Sequence, residues 1–294
     1  MVEAVSQQLE ELVEDVGARR VTELFKRLPS GKMLRSKLIL AIAPSKEAVR
    51  FAAIIEMIHA ASLLHDDVID EATTRRGVDS INALFGNKTA IMLGDILYSK
   101  AFFELTSLPQ PIPQIVSSAV TELSLGELLD VELAQSFNPD KEAYLEMIYK
   151  KTGSLIEASA KGAAILAGKD VKAYGLYGKN LGVAFQIVDD ILDITQDSQT
   201  LGKPAMHDFR EGKTTLPYIY LYEALSESDR QQLEKLHAKE LSEEENRWLK
   251  EKFQQTQALE RAKEEARKLA QEAMEKVDDE KLVQIMRSLI ERTY

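Results

Sequence analysis

The sequence predicts an all-α protein, a single domain over residues 1–294 built as a bundle of long helices around a deep central cavity. Three observations support this prediction. Ala, Leu, Glu, Lys and Ile are abundant, apolar residues recur at three- and four-residue spacing, and strand-like alternation between turn signals is hard to find. With 294 residues, 45% of them hydrophobic, the chain also has ample apolar material for one core.

Helix-breaking residues divide the chain into these helices. Pro29-Ser30-Gly31 ends the first helix, and Pro44-Ser45 ends a short second one, because proline lacks the amide proton that a helix interior needs. The segments predicted next are a helix over 46–70, a loop at 75–77, a short helix near 80–85, and helices over 89–106, 112–137, 139–167 and 171–195. Beyond them we expect an exposed loop over 202–212, a helix over 214–224 and a charged helical tail.

Composition limits the classes of function. With 37 basic and 48 acidic residues, the formal net charge is −11, which argues against nucleic acid as the main partner. The absence of cysteine excludes disulfides and thiolate sites and favours a reducing, cytoplasmic location. The amino terminus is acidic and amphipathic rather than a signal peptide, and no apolar run approaches the roughly 20 residues of a membrane span. We therefore expect no transmembrane segment.

Two acidic motifs, DDVID at 66–70 and DDILD at 189–193, carry the chemistry. Aspartates four residues apart stack on one helical face and repel each other unless a cation lies between them. One such motif alone is as readily a solvated helix end, but two copies, each after an apolar helix, favour a metal site. Oxygen-only ligands suit Mg²⁺, which bridges carboxylates to phosphate oxygens. The predicted metal ligands are Asp66, Asp70, Asp189 and Asp193.

A magnesium–diphosphate site also needs cationic side chains at its rim. Guanidinium groups bind phosphate with two hydrogen bonds, whereas lysine acts as a point charge. The basic residues placed beside the motifs are Lys32, Arg35, Arg75, Arg76, Lys151, Lys203 and Lys213. His59 lies two helical turns before Asp66 on the same face, where a hydrogen-bonded core residue and a substrate contact are about equally expected.

Together these motifs resemble the all-trans isoprenyl diphosphate synthases. The shared stretches are GKMLR at 31–35, EMIHAASLLHDDVID at 56–70, RRG at 75–77, GD at 94–95, GELLD at 126–130, KTG at 151–153, FQIVDDILD at 185–193 and the GK and GKTTLP segments between 202 and 217. The resemblance implies the isoprenoid synthase fold, usually as a homodimer. It also implies a reaction in which isopentenyl diphosphate extends an allylic diphosphate of the farnesyl or geranyl type.

The resemblance also implies roles for individual residues. Asp66, Asp70 and Asp189 would hold Mg²⁺, assisted by Asp193. Arg75, Lys151, Lys203 and Lys213 would contact the allylic diphosphate, and Lys32, Arg35, His59 and Arg76 would bind isopentenyl diphosphate. Thr152 and Gln186 would lie near the reacting carbons and, with Lys151, form the catalytic set. The departing diphosphate would serve as the base.

Product length is read at Ala61 and Ser62, just before the first motif. Both residues are small, whereas the family's short-chain members carry a bulky aromatic in this region, so the growing chain would pass deeper. We expect a product of about six to eight isoprene units, octaprenyl best of all, which helices of roughly 30 Å would accommodate. Such products commonly supply quinone side chains in this family, and any membrane association would be transient and serve product release. The alternatives are a geranylgeranyl synthase or a subunit of a heteromeric synthase.

Three other classes compete. A terpene cyclase also uses an acidic motif and Mg²⁺, but it would not need basic sites for a second diphosphate. A metal phosphohydrolase, suggested by His65-Asp66 and His207-Asp208, predicts histidine ligands, yet the chain has only four histidines. A regulatory subunit would typically lose aspartates from the motifs, and this chain keeps all six.

Overall fold

A computed structural model describes residues 1–195 and 206–291. Apart from one hairpin of two-residue strands, the regular secondary structure of this part of the chain is helical, so the predicted all-α class is confirmed. The chain divides into two compact units, the first formed by Met1–Val120 and Leu155–Gly178 and the second by Thr121–Ser154 and Lys179–Tyr294. The single domain over 1–294 stays a prediction.

The first unit is organised around one long helix. Its elements before residue 112 are α1 (Val2–Glu14), α2 (Arg19–Phe25), α3 (Leu34–Ile42), α4 (Lys46–Ile69), the antiparallel two-residue strands β1 (Thr74–Arg75) and β2 (Val78–Asp79), α5 (Ile81–Phe85) and α6 (Asn87–Leu105). Helix α4 contacts α1, α3, α5 and α6, and it begins at Ser45, whose Oγ accepts the Ala48 amide proton at 3.1 Å. The first acidic motif therefore lies at the carboxyl end of the long helix that contacts four other helices of this unit.

Helices α7 (Ile112–Leu133) and α10 (Val171–Thr195) each begin in the first unit and end in the second. Between them run α8 (Lys141–Ile148), a π-helical turn (Tyr149–Gly153) and α9 (Ser154–Ala167). The later helices are α11 (His207–Arg210), α12 (Leu216–Ala224), α13 (Glu227–Leu236), α14 (Glu243–Gln255), α15 (Ala258–Met274) and α16 (Glu280–Glu291). The second acidic motif lies in the last turns of α10.

The charged tail is a set of packed helices rather than a free extension. Helix α15 contacts α12 and α16, and its buried face consists of Ala258, Ala262, Ala266, Ala270 and Ala273. Its solvent face carries ion pairs such as Arg267 Nη1 to Glu260 Oε1 at 2.7 Å. An alanine stripe lets neighbouring helices approach closely, while the charged face remains in water.

Several predicted boundaries need correction. The first helix is broken at Gly17, whose φ of +74° favours glycine and separates α1 from α2. The predicted loop at 75–77 lies in a β-hairpin closed by Arg76 and Gly77, both with positive φ. The predicted loop over 202–212 contains the short helix α11 within its described part.

Two predictions about apolar residues also change. Among the described residues, α4 is long and apolar enough to span a membrane by length and composition alone, which the sequence reasoning did not expect. However, 61% of that stretch is buried inside the fold, as is typical of a core helix. The sequence also favours core packing for Phe102 and Phe103 over a role at the end of the product tunnel. Phe103 is 67% exposed on α6, so for Phe103 the core-packing prediction is wrong.

Candidate active site

The aspartates of the first acidic motif differ in burial and in their partners. Asp66 is partly buried and Asp70 is exposed at the end of α4, whereas Asp67 is buried. Asp67 Oδ1 lies 2.5 Å from both Nε and Nη2 of Arg75, which joins the hairpin to α4. The Asn82 amide reinforces this link by donating to the Asp67 carbonyl at 3.0 Å. The middle aspartate therefore holds Arg75 in place beside its neighbours.

A cavity of about 260 Å³ lies in the first unit beside this motif. Its lining includes Gly31, Met33, Glu56, His59, Arg75 and Arg76. Arg76 Nη1 donates to the Pro29 carbonyl at 3.2 Å, and a Cβ on Gly31 would lie 2.8 Å from the same nitrogen. The glycine is therefore what allows the Arg76 guanidinium to lie against the 29–31 segment.

Glu56 is an acidic residue of this cavity, whose lining also carries Arg75 and Arg76. Its Oε1 accepts from the backbone amide of Ser36 at 3.3 Å and from its hydroxyl at 2.6 Å. Burial lowers the pKa of Arg35, which Glu56 opposes, and burial together with Arg75 lowers the pKa of Arg76. The fixed carboxylate thus supports the charge of two guanidinium groups that burial and mutual repulsion disfavour.

His59 is a neutral ring within this cationic cluster. Burial, followed by the charges of Arg35, Arg76 and Arg75, places its pKa well below the ordinary value of 6.5. Its Nδ1 is buried without a hydrogen-bond partner among the described residues. One alternative for this position is a hydrogen-bonded core residue, but Nδ1 makes no hydrogen bond to the described residues. An unpaired ring nitrogen beside Arg75 and Arg76 suits an anionic ligand.

The other predicted residues of the first unit lie elsewhere. Lys32 is exposed, and it is not among the described residues that line the cavity. Ala61 and Ser62 are both buried, and in the described part of the chain it is their neighbours Ala60 and Leu63 that line the cavity. Ser62 Oγ donates to the His59 carbonyl at 2.9 Å.

The π-helical turn presents Lys151 and Thr152. A Cβ on Gly126 would lie 2.2 Å from the Lys151 backbone nitrogen, so glycine alone lets α7 pack against the turn. This contact brings Lys151 Nζ to 2.6 Å from Asp130 Oδ2 and 2.8 Å from Glu127 Oε2. Burial works against the charge, but the two carboxylates outweigh it and raise the pKa of Lys151. Lys151 is therefore a fixed cation, as π-helical insertions at functional sites often provide.

The middle aspartate of the second acidic motif is also buried and hydrogen-bonded to other side chains. Asp190 is 3% exposed and accepts from the Tyr144 hydroxyl at 2.5 Å and from Gln186 Nε2 at 2.9 Å. Gln186 Oε1 in turn accepts from Thr152 Oγ1 at 3.1 Å. Burial and then the Asp208 carboxylate raise the pKa of Asp190, while the two hydrogen bonds favour its ionised form.

Residues 207–213 contribute further charged groups, of which Asp208 and Lys213 line this unit's cavity. Asp193 Oδ2 accepts the Asp208 amide proton at 3.2 Å, and Lys213 Nζ lies 3.1 Å from Glu211 Oε2. Although burial opposes it, His207 and Lys213 lower the pKa of Glu211 to about 2. Lys203 lies outside the described residues.

The cavity in the second unit measures about 170 Å³. Its lining includes Lys151, Thr152, Gln186, Asp190, Asp208 and Lys213. Four of these six were predicted from sequence; Asp190 and Asp208 were not given a role. Tyr144, Glu127 and Asp130 were also missed, although GELLD at 126–130 was noted as a shared motif and was the available signal for the last two.

The predicted metal ligands belong to both units. Asp66 and Asp70 lie in the first unit, and Asp189 and Asp193 in the second. Within the described residues, no group of three or more His, Cys, Asp or Glu side chains is placed to hold a metal ion. Their role as ligands stays a prediction.

Comparison with known proteins identifies the family. A family model described as polyprenyl synthetase matches residues 19–255. The chain belongs to the polyprenyl synthetase family. The predicted enzyme class, a prenyltransferase, is confirmed, and the match favours this interpretation over the cyclase and phosphohydrolase hypotheses.

Individual members of the polyprenyl synthetase family differ in how much of their length is matched. A mitochondrial solanesyl-diphosphate synthase from Oryza sativa is 43% identical over 192 residues, 63% of this chain and only 45% of that protein. The octaprenyl diphosphate synthase of Escherichia coli is 38% identical over 223 residues, 72% of this chain and 68% of that protein. Both relatives are synthases of long-chain products, as was predicted here.

Solved structures of this family match nearly the whole chain. An octaprenyl pyrophosphate synthase from Helicobacter pylori superposes with a TM-score of 0.94 at 45% identity, over 98% of both chains. A polyprenyl synthase from Caulobacter crescentus, complexed with calcium and isoprenyl diphosphate, gives a TM-score of 0.90 at 29% identity, over 100% of this chain and 95% of that one. The predicted isoprenoid synthase fold is confirmed.

Proposed function

We propose that this chain condenses isopentenyl diphosphate with an allylic diphosphate to form a long all-trans polyprenyl diphosphate, with octaprenyl as the principal product. The observation that carries the proposal is the 45% identity to an octaprenyl pyrophosphate synthase over 98% of both chains. Arg75 and Arg76 line the first cavity and Lys151 and Lys213 line the second, so each cavity offers at least two cations to a diphosphate substrate.

We assign Asp66, Asp70, Asp189 and Asp193 as the ligands of Mg²⁺. The donor set consists of carboxylate oxygens, which fits a hard divalent ion, and the calcium-bound relative is consistent with that chemistry. When bound, the ion would neutralise charge that develops on the leaving diphosphate. The aspartates themselves hold that ion and supply no proton.

The basic side chains divide between the two substrates. We assign Lys32, Arg35, His59 and Arg76 to isopentenyl diphosphate, and Arg75, Lys151, Lys203 and Lys213 to the allylic diphosphate. The neutral ring of His59 can accept or donate a hydrogen bond without adding to the repulsion among the arginines. Lys151, which its carboxylate partners keep charged, presents a fixed positive charge to the leaving group.

The reaction needs no nucleophilic side chain. The allylic carbon–oxygen bond breaks and its electron pair leaves with the diphosphate. The double bond of isopentenyl diphosphate then forms the new carbon–carbon bond to the cation, and a proton lost from the adjacent carbon passes to the departed diphosphate. Thr152 and Gln186 present oxygen atoms to the cationic carbons, and the apolar cavity walls exclude water.

We also propose an oligomeric state, a cellular location and partners for this chain. We include a homodimer, a cytoplasmic location, no nucleic-acid partner, and membrane contact only in transient product release. The cysteine-free composition and the net charge of −11 support the location and the absence of a nucleic-acid partner.

The test is incubation of the purified chain with labelled isopentenyl diphosphate, farnesyl or geranyl diphosphate and Mg²⁺, followed by chain-length analysis. The expected result is elongation to octaprenyl diphosphate. A product that stops at geranylgeranyl diphosphate would support the medium-chain alternative, and turnover only after addition of a partner protein would support the subunit alternative. Release of free phosphate without elongation, or a cyclic hydrocarbon, would contradict the proposal.

A further inference from the structure

We infer that Tyr144 and Asp190 are positioning residues that fix the side-chain amide of Gln186 and, through it, the hydroxyl of Thr152. This inference rests on the proposed prenyl transfer, in which Thr152 and Gln186 face the reacting carbons. It gives the middle aspartate of the second motif a task separate from the metal role proposed for Asp189 and Asp193.

A continuous chain of hydrogen bonds carries the inference. The Tyr144 hydroxyl donates to Asp190 Oδ2 at 2.5 Å, and Gln186 Nε2 donates to Asp190 Oδ1 at 2.9 Å. Thr152 Oγ1 donates to Gln186 Oε1 at 3.1 Å. The four residues come from α8, the π-helical turn and α10, and all of them line the same cavity. The arrangement therefore joins three elements at one wall of the site.

The direction of these hydrogen bonds determines which atoms face the cavity. Both oxygens of Asp190 accept, so the amide of Gln186 must turn its N–H group toward Asp190 and its carbonyl oxygen toward Thr152. Thr152 then uses its only hydroxyl proton on that carbonyl and keeps its lone pairs available. Two oxygen dipoles thus present their negative ends where a carbocation forms.

Loss of the relay would remove this orientation. An amide that is not fixed can rotate by half a turn and exchange its oxygen for an N–H group, which carries the wrong sign of charge beside a cation. Tyr144 and Asp190 are each 3% exposed, so water does not readily replace either partner.

The test is a double-mutant cycle on prenyl transfer with Tyr144→Phe, Thr152→Val and the double variant. Tyr144→Phe keeps the ring and removes the donor, so kcat should fall about tenfold while both diphosphate KM values stay within about twofold. Because part of the Tyr144 effect passes through Thr152, the two substitutions should not be additive, and Tyr144→Phe should slow the Thr152→Val variant by clearly less than tenfold. Thr152→Ser, which keeps the hydroxyl, should retain most of the wild-type kcat.

Tyr218→Phe is the matched control. Tyr218 is also fully buried in the second unit, its hydroxyl has no hydrogen-bond partner among the described residues, and it does not line the cavity. Its substitution should leave kcat unchanged. If Tyr144→Phe fails to fold, as judged by thermal melting, Asp190→Asn replaces it, because an asparagine amide can itself donate to Gln186 Oε1 and permit the flipped orientation.

Two kinds of failure are distinguishable. If wild type and Tyr218→Phe elongate the primer but the two substitutions in the cycle are additive, or Tyr144→Phe changes only KM, the relay is wrong and the proposed function stands. If wild type makes no polyprenyl product, the proposed function fails and this inference fails with it.

Discussion

At the scale of single residues, each acidic motif contains aspartates in different environments. Asp66 is partly buried near a basic cavity, whereas its neighbour Asp67 is buried against Arg75. Adjacent helical residues point in directions about 100° apart, so one can face a site while the next packs into the fold. This difference predicts that two equal substitutions in one motif have unequal effects.

We expect Asp66→Asn to lower turnover at least about a hundredfold with little change in melting temperature, because it removes a proposed Mg²⁺ ligand. The Mg²⁺ concentration for half-maximal turnover should rise. Asp67→Asn should instead destabilise the fold by about 1–3 kcal/mol, because it weakens the buried pair with Arg75. Steady-state kinetics across Mg²⁺ concentrations and thermal melting separate the two effects.

The control for this pair is Asp278→Asn, an exposed aspartate in the turn between α15 and α16. It should change neither turnover nor melting. Equal loss of turnover at Asp66 and Asp278, or near-normal turnover of Asp66→Asn at low Mg²⁺, would remove Asp66 from the proposed metal ligands.

Sequence patterns point to candidate site residues more readily than to the hydrogen-bond partners that hold them. Charge and spacing selected Asp66 and Lys151, and the resemblance to the family added Gln186, because each lies in a motif of contiguous residues. The role of Tyr144 depends on the packing of α8 beside α10, and no local sequence pattern predicts that contact. Glu56 was missed for the same reason, since its partner Ser36 is on another helix.

At the scale of elements, the spacing of apolar residues predicted which segments are helical, but it did not predict where a helix departs from α-helical geometry. Helix α10 begins and ends at the predicted residues, and α4 ends one residue before the prediction. The π-helical turn at Tyr149–Gly153 lies inside the helix predicted over 139–167, and the sequence did not reveal it because a one-residue insertion barely alters the apolar pattern. Its position depends on how closely α7 approaches.

We predict that Gly126→Ala separates α7 from the π-helical turn. The new Cβ would lie 2.2 Å from the Lys151 backbone nitrogen, and a backbone atom cannot move aside as a flexible side chain can. We expect destabilisation at the upper end of the roughly 1–3 kcal/mol typical of overpacking, together with a large fall in kcat as Lys151 and Thr152 shift. Chemical denaturation and steady-state kinetics measure the two effects.

Glu132→Ala, at an exposed position of the same helix, is the control and should leave the stability and kcat nearly unchanged. A Gly126→Ala variant with wild-type stability and kcat would show that α7 does not position the turn.

At the scale of the whole molecule, product length is the property that fold comparison leaves open. The two described cavities measure about 260 and 170 Å³, each below the roughly 300–1,000 Å³ of pockets that enclose a drug-sized ligand. An octaprenyl chain needs more room than either cavity provides. We therefore expect small residues beyond the first cavity to set how far the chain can grow.

Ala61 is the residue at which this expectation can be tested. It is fully buried on α4, one turn and a residue before Asp66, next to cavity-lining Ala60. If the growing chain passes Ala61, Ala61→Phe blocks it and shortens the product, and chain-length analysis should show a shift toward geranylgeranyl diphosphate. Ala52→Phe, equally buried but more than two turns earlier on the same helix, should lower the melting temperature without shortening the product. An unchanged product from a folded Ala61→Phe variant would place the chain elsewhere, because an aromatic ring in its path cannot be passed without altering the length at which growth stops.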